Sequence, residues 1–268
     1  MTHHPFDEAI ALSAAGDGAT HPAWANMVGP FGGITAATLL NAAWVHPQRL
    51  GEPLALTVNY AGALVDGAFR VDARPVRTTR TTQHWIITLH QGGEVTTTAT
   101  AVFAIRRDTW ASAELVAPAV PPAAEVAVTP APGRVVWPER YEMRFVHGPW
   151  VRFAPTAAPA LADDSLTALW IRDEPPRPLD ALALTALCDA FYPRIFRRRG
   201  TFTPAGTVSM TVHFHAGATA LAAQGTRPVL GVARGQRFAQ GFFDQHAEVW
   251  SDGGELLASS QQSVYFKA

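Results

Sequence analysis

Residues 30–43 read PFGGITAATLLNAA, and this stretch decides the fold of the chain. After two glycines, Gly32 and Gly33, comes a run of small and apolar residues that predicts a helix over residues 32–46. The run is apolar on nearly every side, so we expect the helix to be buried, because each exposed Å² of apolar surface would cost about 25 cal/mol. Glycine has no side chain, which would let another backbone or a ligand approach the start of this helix closely.

The second half of the sequence contains a matching helix and a matching set of strands. The segment Leu179–Phe196 (LDALALTALCDAFYPRIF) is also apolar over most of its surface and predicts a second buried helix. Alternating polar and apolar residues predict about four strands after each helix, and a Gly-Gly hairpin joins two of them in both halves. These strands are predicted at 54–61, 68–77, 82–91 and 94–106, and at 207–215, 228–237, 241–250 and 255–266.

The two sets of segments keep the same order along the chain. LTVNYAGA, from residue 56, resembles MTVHFHAGA, from residue 210. A long antiparallel sheet wrapped around one apolar helix is the hotdog architecture, so two copies predict an α+β fold of the double-hotdog type. We assign residues 1–110 to the N-terminal repeat, 111–135 to a linker rich in Ala and Pro, and 136–268 to the C-terminal repeat. Residues 136–178 are expected to hold the opening strand of the second repeat and its connection.

Composition excludes several classes of protein. The chain has 268 residues, of which 48% are hydrophobic, so it can bury a large core. Only 16% are charged and the net charge is -1, which argues against a nucleic-acid or anionic-membrane partner. The single cysteine, Cys188, excludes an intramolecular disulfide and a cysteine-based zinc site. Without an apolar run suited to a signal peptide or a membrane span, we expect a cytoplasmic protein.

The order of motifs resembles the acyl-CoA thioesterase II family and related thioesterase-like double-hotdog proteins. The resemblance covers nearly the whole chain, from the FGG-led helix through LTVNYAGAL and RPVRTTRTTQHWIITLHQGGE to WIRDEPPRPLDALALTALCDAFYP, GTVSMTVHFH and LLASSQQSVYF. It implies an enzyme that hydrolyses an acyl-CoA to a free acid and coenzyme A, without a metal or cofactor. In that family an Asp, a Thr and a Gln orient the attacking water, and the matching positions here are Asp189, Thr207 and Gln262.

The chemistry of a thioester agrees with these residue types. A thiolate is a good leaving group, so a carboxylate that deprotonates a water molecule is sufficient, and burial would raise its pKa usefully. Thr and Gln can hold the water by hydrogen bonds, and the N–H groups at the start of a helix opened by Gly32 and Gly33 can stabilise the oxyanion. In the repeat comparison Asp189 falls on Asn41, and Gln262 falls on Ala101. We therefore expect one composite site per chain.

Some of these residues also have ordinary structural interpretations. Asp189 could pair with Arg194 or Arg197, and Thr207 could be a simple strand residue. Gln261 and Gln262 point to opposite faces of a strand, so the register decides between them. Cys188 is expected to be a buried structural residue rather than a nucleophile.

Other polar groups are left outside the catalytic set. His213 and His215 share a strand face, where we expect packing or cleft lining rather than metal binding. The run Arg197-Arg198-Arg199 could bind the phosphates of coenzyme A, or it could be the solvated end of a helix. Arg77 and Arg80 could likewise bind phosphates or simply be solvated.

Two other functions are considered. A hotdog hydratase typically needs a histidine beside its acid, and none follows Asp189 in FYPRIFRRRG. A non-catalytic acyl-binding or pathway-accessory protein with the same fold is the alternative that stays open. Pairing of exposed sheet edges leads us to expect a homodimer or a higher homo-oligomer.

Overall fold

The computed structural model describes residues 4–151 and 161–267, so residues 152–160 of the predicted 136–178 segment lie outside the described part. The strands are β1 (Asp17–Ala19), β2 (Glu52–Tyr60), β3 (Ala68–Thr78), β4 (Thr82–Gln91), β5 (Glu94–Ala104), β6 (Tyr141–His147), β7 (Thr167–Asp173), β8 (Ala205–Phe214), β9 (Val229–Arg234), β10 (Phe238–Ala239), β11 (Phe242–Trp250) and β12 (Leu256–Phe266). The helices are α1 (Pro5–Ala9), α2 (Gly32–Trp44), α3 (Ala181–Leu187), α4 (Arg194–Arg199) and α5 (Ala218–Gln224).

All the described strands belong to one antiparallel sheet with an internal repeat. Its order is β1-β3-β4-β5-β2-β8-β12-β11-β9-β7-β6, with β10 paired to β11. The two halves meet where β2 pairs with β8, and Thr57 lies directly opposite Thr211 at this junction. Outward from the junction, β5, β4, β3 and β1 on one side match β12, β11, β9 and β7 on the other, and β6 is an extra edge strand. The predicted double hotdog is thereby confirmed.

The two central helices pack against each other inside the sheet. Residues 33–43 of α2 and all seven residues of α3 are buried, as expected for helices that are apolar on nearly all sides. Phe31 is the N-cap of α2, and Val45 is its C-cap. Pro47 stops the chain from continuing as a helix, because the residue before a proline avoids the helical conformation. The observed helix therefore ends two residues before the predicted limit of 46.

The predicted single helix over Leu179–Phe196 is wrong in its extent. Asp180 caps the start of α3 by accepting a hydrogen bond from the Ala183 N–H at 2.8 Å. The helix ends at Leu187, and the next helix, α4, begins only at Arg194, directly after Pro193. Proline lacks an N–H and excludes helical geometry from the residue before it, so the segment cannot remain one helix. Asp189 consequently lies in the turn after α3 and not on the helix.

The strand predictions agree with the structure to within about two residues at most ends. β9 is the exception, since it spans Val229–Arg234 where 228–237 was expected. Residues 136–178 hold two strands, β6 and β7, rather than one opening strand. β1 and β10 have only three and two residues, too few to show an alternating pattern.

The predicted linker, 111–135, is extended apart from a 3₁₀ turn at Ala123–Glu125. Its small apolar side chains, Val120 among them, pack against Trp170 and Trp250 on the sheet. The Trp170 indole N–H donates to the Pro121 carbonyl at 2.9 Å, which fixes the linker against β7. The division of the chain at residues 110 and 136 stays a prediction.

Candidate active site

Three polar side chains that the sequence singled out meet in one hydrogen-bonded chain. Thr207 Oγ1 donates to Gln262 Oε1 at 3.0 Å, and Gln262 Nε2 donates to Asp189 Oδ1 at 2.8 Å. Thr207 is on β8 and Gln262 is on β12, which are neighbouring strands, whereas Asp189 comes from the turn after α3. Since Thr207 donates to the Gln262 carbonyl oxygen, the amide is oriented with its N–H toward the carboxylate.

The register of β12 separates the two adjacent glutamines. Gln262 is 2% exposed and points inward. Gln261 is exposed on the opposite face, where it contacts His246 and Asp244. Strand alternation alone sets this difference, and it places Gln262 in the site as expected.

The two glycines of α2 lie against Asp189. A Cβ on Gly32 would be 2.8 Å from Asp189 Oδ2, and a Cβ on Gly33 would be 2.7 Å from the Ala186 carbonyl oxygen of α3. Such distances exclude a side chain at either position without movement of its neighbours. The Gly33 N–H donates to the Asp189 carboxylate. The start of α2 therefore faces the acid, as predicted, but one of its two glycine N–H groups is already bound to that acid.

The surroundings of Asp189 favour its neutral form. Burial raises the pKa of this carboxyl from its usual value to about 7, although the hydrogen bonds from Gln262 and Gly33 act in the opposite direction. The position just beyond the C-terminus of α3 adds to the unfavourable environment for a negative charge. The side chain is only partly buried, so water can reach it.

Asp189 has no arginine partner among residues 4–151 and 161–267. Arg194 is fully buried and donates to the Tyr192 carbonyl, to Gln245 and to Thr167. Arg197 pairs with Asp164 at 3.1 Å. The structural alternative for Asp189, an ion pair with one of these arginines, is therefore wrong.

Two contacts of the site escaped the sequence analysis. Tyr60 Oη donates to the Gly32 carbonyl at 2.9 Å, and burial together with the nearby Asp189 raises the pKa of this phenol well above its usual value. Ser260 Oγ donates to the Cys188 carbonyl at 3.2 Å and so ties β12 to the turn that carries Asp189. In the repeat comparison Tyr60 falls on Phe214, and this difference was a signal that could have identified it.

Comparison with known proteins decides the family. A model described as the acyl-CoA thioesterase N-terminal domain matches residues 20–104, and one described as the acyl-CoA thioesterase C-terminal domain matches residues 113–266. The chain belongs to the acyl-CoA thioesterase family. Membership supports a thioester hydrolase, and the family implies an acyl-CoA as the substrate. No curated protein sequence matches the chain significantly.

Solved structures agree with this acyl-CoA thioesterase fold. A protein of unknown function with a hot dog fold from Alicyclobacillus acidocaldarius is 49% identical, with a TM-score of 0.93 over 100% of this chain and 99% of that chain. Acyl-CoA thioesterase II TesB2 from Mycobacterium marinum is 20% identical, with a TM-score of 0.70 and 98% of each chain covered. The tesB protein of Mycobacterium avium subspecies paratuberculosis is 17% identical, with a TM-score of 0.75 and 97% of each chain covered. At these lower identities the likeness shows the fold alone.

The remaining candidates of the thioesterase lie outside the hydrogen-bonded chain. Cys188 is fully buried and its thiol pKa is raised, first by burial and then by Asp189, which suits a structural residue. His213 is exposed on the outer face of β8 and His215 is exposed just beyond its end, so neither packs in the core as expected. Arg77 and Arg80 are exposed at the end of β3 and in the turn after it.

Two further observations concern residues 4–151 and 161–267 of the thioesterase. In these residues no three His, Cys, Asp or Glu side chains gather as metal ligands would. None of the described helices is long and apolar enough to cross a membrane.

Proposed function

We propose that the chain hydrolyses acyl-CoA thioesters through a water molecule that Asp189 deprotonates, with Thr207 and Gln262 as positioning residues. The observation that carries the proposal is the hydrogen-bonded chain from Thr207 through Gln262 to a partly accessible carboxyl whose pKa is about 7. A general base works best when its pKa lies near the working pH, because the base form is then populated and still basic enough to take a proton.

The reaction proceeds by direct attack of water on the thioester carbonyl carbon. Asp189 takes one proton as the C–O bond forms, and the C–S bond then breaks to release the coenzyme A thiolate. The thiolate leaves as the free thiol after it receives that proton, and the other product is the carboxylic acid. Gln262 fixes Asp189 Oδ1, and Thr207 fixes Gln262, so the carboxylate keeps one orientation through both steps.

The oxyanion is proposed to form at the N-terminus of α2. The Gly32 N–H is the first of this helix, and the thirteen residues of α2 add a helix dipole that favours negative charge there. The Gly33 N–H stays with Asp189 in this scheme. It holds the base beside the carbonyl that the helix terminus polarises.

Asp189→Asn tests the mechanism. We expect kcat to fall by about a hundredfold or more, because the amide cannot act as a base. The measurement is thiol release from short, medium, long-chain and aromatic acyl-CoAs. Asp173→Asn is the matched control, since burial likewise raises the pKa of this second carboxyl to about 7. Equal losses in the two variants, each measured as folded protein, would contradict a specific role for Asp189.

The pH dependence supplies a second test of the same residue. The base must be deprotonated, so kcat should rise with pH up to about 7 and then level off. The free energy of unfolding of the wild type should fall as the pH rises and should level off above about 7. The reason is that the native state binds the Asp189 proton more tightly than the unfolded chain does. The Asp189→Asn variant should therefore have the higher melting temperature above pH 7. A lower one at pH 8 would show that the charged carboxylate stabilises the fold.

The oligomeric state of the enzyme and its location in the cell are also proposals. Association into a homodimer or a higher homo-oligomer is supported by the sheet edges at β1 and β6, which have no neighbouring strand on one side among the described residues. Sedimentation at micromolar concentration that gave the mass of one chain would reject it. A cytoplasmic location is supported by the single buried Cys188, which suits a reducing compartment.

A further inference from the structure

We propose that an arginine-lined concavity beside α4 binds the 3′-phospho-ADP portion of coenzyme A. This inference rests on the proposed function, since it adds a carrier-recognition site to the thioesterase. The concavity has a volume of about 640 Å³ and is lined by Ile195, Arg198, Arg199, Gln236, Arg237, Phe238 and Phe266. A volume of this order is typical of sites for nucleotide-sized ligands.

The charge of the concavity is not balanced within the described residues. Arg199 and Arg237 are exposed and neither forms an ion pair there. Arg198 Nη1 donates to a neutral group, the Ala162 carbonyl, at 2.5 Å. Guanidinium groups with free donors match phosphate oxygens in charge and in geometry. Three of them around one concavity therefore point to a ligand with more than one phosphate.

Asp244 is the acidic neighbour of this arginine group, and its carboxylate is used elsewhere. Its oxygens accept hydrogen bonds from the backbone N–H groups of Gln236 and Arg237, at 3.1 and 2.9 Å, and from the Gln261 side chain at 3.3 Å. These bonds fix the turn that carries Arg237. The carboxylate thus places one arginine of the concavity and leaves an excess of positive charge.

Two aromatic rings give the concavity a surface for a base. Phe238 and Phe266 are half-buried, and Phe238 stacks on Phe243 with 5.3 Å between ring centroids and 19° between planes. Phe238 also packs against Gly235, where a Cβ would come within 2.7 Å of its ring. A ring held in this way can stack on adenine without losing side-chain freedom on binding.

The concavity lies at a suitable distance from the candidate active site. Gln262, Val264 and Phe266 occupy successive inward positions of β12. Four residues of a strand span about 13 Å, so Phe266 lies about that far from Gln262. An extended pantetheine arm bridges such a span between a thioester and its nucleotide. α4, which supplies two of the arginines, begins five residues after Asp189 in the sequence.

The aromatic lining favours a nucleotide over an acyl-carrier protein. A carrier protein would meet arginines through carboxylates, whereas two half-buried aromatic rings lie beside the arginines here and offer a surface for a base. Arg199 and Arg237, the two arginines substituted in the test below, lie outside the hydrogen-bonded chain of Thr207, Gln262 and Asp189. Loss of nucleotide binding can therefore be separated from loss of hydrolysis.

The test is the double charge reversal Arg199→Glu with Arg237→Glu, compared with Arg74→Glu with Arg107→Glu, two exposed arginines outside the concavity, as a control of equal charge change. Each protein is assayed with the same acyl group on coenzyme A, on pantetheine and on an acyl-carrier protein, and is titrated calorimetrically with adenosine 3′,5′-diphosphate. We expect the double variant to raise KM for acyl-CoA about tenfold or more, to leave both constants for acyl-pantetheine unchanged, and to lose the diphosphate. The control should bind and hydrolyse like the wild type.

Three results would overturn the site. The wild type could hydrolyse acyl-CoA and acyl-pantetheine with equal kcat/KM, or the double variant could keep its affinity for the diphosphate. The double variant could also lose activity on an acyl-carrier protein while keeping its activity on acyl-CoA. That result would assign the arginines to a protein partner. A wild type that binds the diphosphate but hydrolyses neither thioester would reject the proposed function and leave the nucleotide site in place.

Discussion

The two halves of the sheet follow the same strand order and differ at the positions that form the site. The ladders show this directly, because Leu56 of β2 lies opposite Ala101, whereas Met210 of β8 lies opposite Gln262. Leu56 and Met210 are equivalent about the β2–β8 junction, so the register confirms that Gln262 and Ala101 occupy matching places. One copy has the polar side chain there, and the other has a methyl group.

The central helices differ in a complementary way. In the first half α2 continues through Asn41, whose side chain donates to the Ile10 carbonyl at 2.9 Å. In the second half the helix ends at Leu187, and Asp189 stands in the turn that follows it. The N-terminus of one helix then meets the end of the other. The comparison teaches that a repeat with two equivalent helices can bring one polar cluster together when each copy contributes a different helix end.

Gln262→Ala, which makes the second copy resemble the first at Ala101, should give the largest effect of the variants that test this comparison. Loss of the amide removes the hydrogen bonds to Thr207 and Asp189, so we expect kcat to fall about 10- to 100-fold. The assay is thiol release under saturating acyl-CoA. Gln261→Ala, on the outer face of the same strand, should change kcat little. If both variants behaved alike, the asymmetry of the two copies would have no catalytic meaning.

Gly32→Ala tests the close approach of the two helix ends and should have an intermediate effect. The new methyl group would be 2.8 Å from Asp189 Oδ2, so the carboxylate must shift. We expect a loss of about 1–3 kcal/mol in the free energy of unfolding, as is typical of overpacking, and a reduced kcat. Gly62→Ala is the control, because its methyl group would meet its nearest neighbour at an ordinary 3.6 Å. Chemical denaturation and thiol release measure the two quantities.

Tyr60→Phe makes the first copy resemble the second at Phe214 and should have the smallest effect. It removes one hydrogen bond to the Gly32 carbonyl, worth about 1 kcal/mol, and leaves the ring in place. We expect a modest decrease in the melting temperature and a change in kcat below about tenfold. A decrease in kcat as large as that of Gln262→Ala would instead place the Tyr60 hydroxyl in the reaction.

Much of the fold follows from local patterns that a sequence displays. The apolar character of residues 32–44 dictates a buried helix whatever surrounds it, and alternation along β4 gave its limits at Thr82–Gln91 without error. The prediction of a single helix over Leu179–Phe196 was wrong because the apolar pattern continues through Pro193, which cannot lie inside an uninterrupted helix. Short elements such as β1 were missed, because a strand of three residues is defined by its partner and not by its own sequence.

The sequence by itself determined the repeat and the two buried helices, because residue types and their periodicity are properties of the chain. The resemblance to the acyl-CoA thioesterase II family, and not periodicity, singled out Asp189, Thr207 and Gln262. Tertiary structure alone decided that Asp189 lies against Gly32, that its pKa rises to about 7, and that Arg199 and Arg237 line one concavity. These properties depend on desolvation and on contacts between residues far apart along the chain. Such contacts exist only after the two halves of the sheet have closed around their helices.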